Sequence, residues 1–190
     1  MELSRALYVG LIAVVAALRL VELRLSKRNQ QRLAAQGATK AADPRFPAMV
    51  VLHTAVLAGA AAEVVFLQRP FIPLLAAPMG ALFLAANALR WWVIHTLGTH
   101  WNVQVMDSAR LGVITGGPYR WVRHPNYSAV FVEMFSLPLI HTAWLTATAG
   151  SAVHAWVLHG RIAAEERVLL ADPAYRAGMG AKPRFLPYLF

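Results

Sequence analysis

Long apolar runs separated by short polar segments set the pattern of this chain. The runs extend from Ala6 to Leu23, Pro47 to Leu67, Phe71 to Leu97, Tyr127 to Ile140, and Ala143 to Leu158. A membrane-crossing helix needs about 20 mostly apolar residues. The first three runs meet that length. The last two are shorter, and only His141 and Thr142 separate them, beside Pro138. They read as a tight helical hairpin. The pattern predicts an all-α, polytopic membrane bundle of about five transmembrane helices in one domain, residues 1–190. The first run resembles a signal peptide in starting after Arg5, but it continues through Arg19 and Glu22 into a basic stretch with no cleavage site.

Composition supports this picture. The 190 residues are 58% hydrophobic and 14% charged, where soluble domains carry about 25% charge. Such a chain is neither disordered nor a soluble globular enzyme. It has no cysteine, which removes disulfides, thiolate ligands and a thiol nucleophile. The net charge of +9 suggests nucleic acid only if the protein is soluble. In a membrane protein the placement of basic residues carries the information. Arg24, Lys27, Arg28, Arg32, Lys40 and Arg45 follow the first run. Arg110, Arg120 and Arg123 follow the third. Arg161, Arg167, Arg176, Lys182 and Arg184 follow the fifth. These are 14 of the 18 Lys and Arg residues. The excess marks one face as cytoplasmic, with the N-terminus outside, and excludes nucleic acid as the expected partner. In a prokaryote the membrane would be the cell membrane.

The polar chemistry gathers on that face, in the half of the chain from about residue 99 to 190. Arg161 and Glu165 lie four apart, so on a helix they share a face. They form either an interfacial ion pair or a clamp, with arginine's planar fork suited to an anion. Pro125 disfavours helix at His124 and then starts the next helix. This turn either is a plain helix start or offers free N–H groups to an anion. Glu133, inside the fourth run, is a candidate for the same pocket. No HExxH or acidic cluster indicates a metal, and no GxGxxG or Walker pattern indicates a soluble nucleotide fold.

The run Gly117-Pro118-Tyr119-Arg120-Trp121-Val122-Arg123-His124-Pro125-Asn126-Tyr127, with Arg161-x-x-x-Glu165-Glu166, Tyr175 and a proline-containing end, resembles the isoprenylcysteine carboxyl methyltransferases and the related phospholipid methyltransferases. The resemblance covers roughly Thr99 to Pro187. It departs at Ala129, where the family often has Gly, and between Trp101 and Leu111, where only Gln104 matches. It implies an integral membrane methyltransferase that uses S-adenosylmethionine in a pocket of loops and helix ends. By motif, it implies cofactor contacts from Gln104, Leu111, Gly112, Val113, Ile114, Tyr119, His124, Pro125, Asn126, Tyr127 and Glu165. It implies that Arg161 holds the acceptor carboxylate, and Glu166 is a further catalytic candidate.

The implied acceptor is a lipidic or lipidated molecule that receives the methyl on oxygen. A carboxylate needs no base. A phenol or enol must lose a proton, for which Glu166, Glu133 and His124 are candidates. Phospholipid N-methylation is a third possibility. The segment Arg123 to Tyr127 also resembles membrane steroid reductases that use NADPH, although Ser128-Ala129-Val130 follows where those have an aromatic-Gly-Glu sequence.

Overall fold

A computed structural model describes residues 2–108 and 111–185. Arg110 and Pro187, both used in the sequence reading, lie outside the described residues. Among the described residues there are six α-helices: α1 (Glu2–Ala35), α2 (Phe46–Phe66), α3 (Pro73–Leu97), α4 (Pro125–Leu139), α5 (Trp144–Leu169) and α6 (Pro173–Met179). Two two-residue strands, β1 (Thr39–Lys40) and β2 (Met106–Asp107), pair antiparallel. Single 3₁₀ turns run from Gly98 to His100 and from Gly117 to Arg120.

Helices α1, α2 and the segment Pro73–His100 are long and apolar enough to cross a membrane. At 1.5 Å per residue, the 34 residues of α1 reach about 50 Å, well beyond a hydrocarbon core of about 30 Å. Its basic end therefore projects past the apolar layer, as the pattern after Leu23 suggested. Gly37, at φ 88°, ends this extension. Helix α4 has only 15 residues, fewer than the usual crossing. Residues 140–143 connect it to α5, which packs against it. That turn sits by the α2–α3 connection, where Thr142 Oγ1 donates to the Pro70 carbonyl at 2.6 Å. Glu63 of α2 caps the start of α5, accepting from the Leu145 and Thr146 amides at 3.1 and 2.8 Å.

Large apolar side chains face outward as well as inward. Leu74 is 89% exposed and Phe66 81%, the arrangement expected where the surrounding solvent is lipid. One apolar core joins Tyr8, Ile12 and Val15 of α1 to Ala60 and Val64 of α2, Phe83 of α3 and Leu137 of α4. Deeper polarity is concentrated in a charge quartet. Glu22 accepts from Arg19 at 2.7 Å and from Arg90 Nε at 2.9 Å. Glu133 pairs with Arg19 at 3.2 Å and with Arg90 at 3.6 Å. Two arginines and two glutamates thus neutralise one another and link α1, α3 and α4. Glu133 belongs to this lattice and not to the wall of the cavity described next.

Candidate active site

The end of the bundle opposite the α4–α5 turn carries residues 98–108 and 111–124, α6 and the segment 180–185. Several long-range bonds fasten these parts together. Asn29 of α1 donates to the carbonyls of Gly98 and Trp101 at 3.1 and 2.8 Å. The Arg123 and His124 amides each donate at 2.9 Å, to the Pro183 and Arg184 carbonyls. Lys182 Nζ donates to the Tyr119 carbonyl at 2.7 Å. Gly117 turns the chain at φ 54°, with Thr96 packed so closely that a Cβ would meet its Oγ1 at 2.3 Å. That turn seats Tyr119 in a core with Val93, Ile94, Trp101 and Met179.

Within this scaffold lies a cavity of about 640 Å³. Its polar end is lined by Gln104, Gly112, Val113, Ile114, Tyr119, His124, Asn126, Tyr127, Arg161 and Glu165. The structure therefore brings together ten of the residues singled out from the sequence. Leu111 and Pro125 are not part of the lining. Leu111 instead packs against the cluster of Leu33, Ala38 and Met106. Pro125 is buried at the first turn of α4 and fixes the break at His124.

The centre of the polar end is a chain of three side chains. Tyr127 donates its hydroxyl proton to Glu165 and accepts from Arg161 Nε at 3.0 Å. Arg161 Nη2 donates to the Val103 carbonyl. Arg161 Nη1 also lies 3.6 Å from Asp43 Oδ2. Arg161 and Glu165, one helical turn apart, are thus joined through Tyr127 and not by direct contact. Burial, and then the charge of Glu165, push the Tyr119 and Tyr175 phenols above their ordinary pKa. Both remain protonated donors near the cavity wall.

Glu166 takes a different place from the one expected of a catalytic partner. It does not line the cavity. His124 Nε2 lies 3.0 Å from its Oε1, and Arg184 Nη2 donates to its Oε2 at 2.6 Å. Arg123 adds an ion pair at 3.2 Å. The hydrogen bond from His124, reinforced by the two guanidinium groups, holds its carboxyl down at about 2. A carboxylate this well satisfied is a poor base. Its position suits a clamp between α5, the His124 turn and the chain at Arg184.

Six buried polar atoms on cavity-lining residues have no hydrogen-bond partner among the described residues: Nε of Arg19 and Arg123, Trp101 Nε1, and the side-chain oxygens of Asn102, Gln104 and Asn126. Buried polar groups are normally satisfied. Three amide acceptors and one indole donor, beside Glu165, fit a polar ligand rich in N–H and O–H groups. S-adenosylmethionine, with an ammonium, ribose hydroxyls and an exocyclic amine, has that chemistry. Trp101 and Asn102 carried no signal in the sequence, because their loop has no periodicity and only the fold turns them inward.

From this polar end the cavity continues into the bundle. Ile12, Ala16 and Leu20 of α1 face Val50, Leu57 and Ala61 of α2 along its apolar arm. One space therefore joins hydrogen-bonding groups at the loops to a largely apolar passage between two long helices, with Arg19, Glu22, His53 and Arg90 also in its wall.

The family model described as the isoprenylcysteine carboxyl methyltransferase (ICMT) family matches residues 79–171, which include Trp101 to Glu166. YpbQ, an uncharacterized protein of Bacillus subtilis, is 29% identical over 160 residues, covering 84% of this chain and 94% of its own. An uncharacterized protein of Haemophilus influenzae is 26% identical over 159 residues, covering 83% and 91%. Among solved structures, the eukaryotic intramembrane Ras methyltransferase ICMT matches with a TM-score of 0.58 at 23% identity. The match covers 75% of this chain and 53% of that one, so the chain spans about half that protein's length, and the likeness is one of fold. With its apolar helices and its ordered motifs, the chain is similar to the isoprenylcysteine carboxyl methyltransferase family over residues 79–171, and its fold is that of an integral membrane protein.

Proposed function

We propose that the protein is an S-adenosylmethionine-dependent methyltransferase that methylates an oxygen of a lipidic acceptor. The observation that carries this reading is the continuity of the cavity. Its polar end holds unpartnered amide oxygens and Glu165, and the wall between α1 and α2 is largely apolar, with Arg19, Glu22 and Arg90 paired beside it. A polar donor and an apolar acceptor can thus meet in one space without crossing an apolar barrier. When bound, S-adenosylmethionine supplies a methyl group already activated on sulfonium.

The chain's own residues then have to bind, orient and exclude water. Gln104, Asn126 and Glu165 offer acceptors to the cofactor's amine, hydroxyl and ammonium groups. Gly112, Val113 and Ile114 form a wall beside them. Tyr119, His124 and Tyr127 complete the pocket. Arg161 orients the acceptor oxygen from the adjoining wall, with its guanidinium held by Tyr127 and Val103. The acceptor's hydrocarbon part lies between α1 and α2, open to the bilayer. Carboxylate and phenol or enol oxygens are both compatible with this placement. In this reading α4 and α5 cross the membrane and return, which makes five crossings. The N-terminus faces outside, and the active site faces the cytoplasm.

The test is ligand-induced stabilisation of the detergent-solubilised protein. S-adenosylhomocysteine at one hundred times its dissociation constant should add about 2.7 kcal/mol to stability, and NADPH should add nothing. Stabilisation by NADPH alone would favour a membrane reductase instead.

A further inference from the structure

Asp43 stands where the first cytoplasmic-side loop turns into α2, and the turn is held from several directions. Asp43 Oδ1 accepts from the Arg45 amide at 3.2 Å. Arg45 reaches across to α5, where Nη1 lies 3.4 Å from the Trp156 carbonyl and the guanidinium lies 5.3 Å from the Trp156 ring. Helix α5 leaves room for it at Gly160, where a Cβ would stand 1.3 Å from Arg45 Nη1. On the other side, β1 pairs with β2, and the Ala41 amide donates to the Val105 carbonyl at 3.0 Å. Phe46 places its ring 5.8 Å from the Arg161 guanidinium carbon.

This bracing delivers a carboxylate to Arg161. The Asp43 side chain is 2% exposed, and its Oδ2 lies 3.6 Å from Arg161 Nη1 with no hydrogen-bond partner among the described residues. Arg161 is therefore engaged along its whole fork, by Tyr127 at Nε, Val103 at Nη2 and Asp43 at Nη1. Glu165, joined through Tyr127, is a second carboxylate near the same guanidinium. A carboxylate arriving at Arg161 would be the third anion around one guanidinium. Like charges crowded into one buried site disfavour ionisation and binding.

Resting on the methyltransferase reading above, we propose that Asp43 determines acceptor specificity by neutralising Arg161, so that the acceptor group docked there is an uncharged hydroxyl and not a carboxylate. Specificity of this kind comes from an element that repels the competitor. A neutral hydroxyl can still accept from the remaining guanidinium N–H groups and donate to a neighbouring oxygen.

The test compares two amphiphiles of equal chain length, 4-dodecylphenol and 4-dodecylbenzoate. At pH 7.5 the first is neutral and the second is anionic. Binding to the detergent-solubilised protein is measured by calorimetry with S-adenosylhomocysteine present. The wild type should bind the phenol about tenfold or more tightly than the benzoate. Asp43→Asn should close that gap by about tenfold, chiefly through tighter benzoate binding, and Asp43→Ser should do the same. S-adenosylhomocysteine affinity should stay unchanged in both variants, which shows that they are folded. A wild type that prefers benzoate or binds neither probe, or variants that leave the ratio unmoved, would overturn the role of Asp43. Failure of the wild type to bind S-adenosylhomocysteine would instead sink the methyltransferase reading itself.

Discussion

Successive residues on an α-helix point about 100° apart, and α5 uses this to separate Glu165 from Glu166. Glu165 faces the cavity and takes the Tyr127 hydroxyl. Glu166 faces the His124 turn and Arg184. Two predictions belong to the cavity-facing residues of this helix, Glu165 and Arg161. Glu165→Ala should weaken S-adenosylhomocysteine binding by about ten- to a hundredfold, the usual worth of a hydrogen bond to a charged group. Arg161→Ala should abolish methyl transfer and leave most of the cofactor affinity. Calorimetry with parallel turnover assays separates the two, and unchanged affinity in Glu165→Ala would remove that residue from the cofactor pocket. Glu166 instead governs stability against acid. Its carboxyl is held at about 2, below the ordinary value near 4.3. The stabilisation is complete above the ordinary value and is lost as the pH falls from about 4.5 through 2. Because Arg184 is exposed, solvent screening leaves a worth of about 1–2 kcal/mol. Thermal melts across that range should show this loss in the wild type and not in Glu166→Gln.

At the scale of elements, the turn at Gly117 has the most exacting geometry. Its φ of 54° disfavours any side chain, and Thr96 fills the space where a Cβ would go. Gly117→Ala should cost about 2 kcal/mol or more through strain and overlap. It should also weaken cofactor binding by displacing Tyr119. Thr96→Ala in the same chain should relieve the overlap but not the backbone strain, giving a partial rescue in thermal melts. Some elements were legible in the sequence, and for definite reasons. The three long apolar helices have a length set by the bilayer, and Pro125 marks the start of α4 by its chemistry. Strands β1 and β2 were not legible. Two residues carry no alternation, and only the return of the chain at residue 106 pairs them. Asp43 was hidden for the same reason. Its sequence neighbours mark a loop end, and its contact with Arg161 spans 118 positions.

At the scale of the whole molecule, the bundle pairs its buried charges across helices, and Arg19, Glu22 and Arg90 of the quartet also border the cavity. The quartet of Arg19, Glu22, Arg90 and Glu133 closes on itself across three helices. Breaking such a group is costly because the partner charges stay behind. Glu22→Ala should destabilise the protein by about 3–5 kcal/mol, seen as a lower midpoint of unfolding in detergent. A midpoint equal to the wild type's would mean that water already satisfies the two arginines. The cavity extends from beside this quartet to the loops at the basic end and joins polar and largely apolar walls in one space, as the proposed methyl transfer to a lipid requires. The most direct measurement is incubation of the purified protein with methyl-labelled S-adenosylmethionine and a membrane lipid extract, followed by organic extraction. The account predicts a labelled, lipid-soluble product that carries the methyl on oxygen and is absent with Arg161→Ala. Label found on nitrogen, or no labelled lipid at all from a protein that binds NADPH, would contradict it.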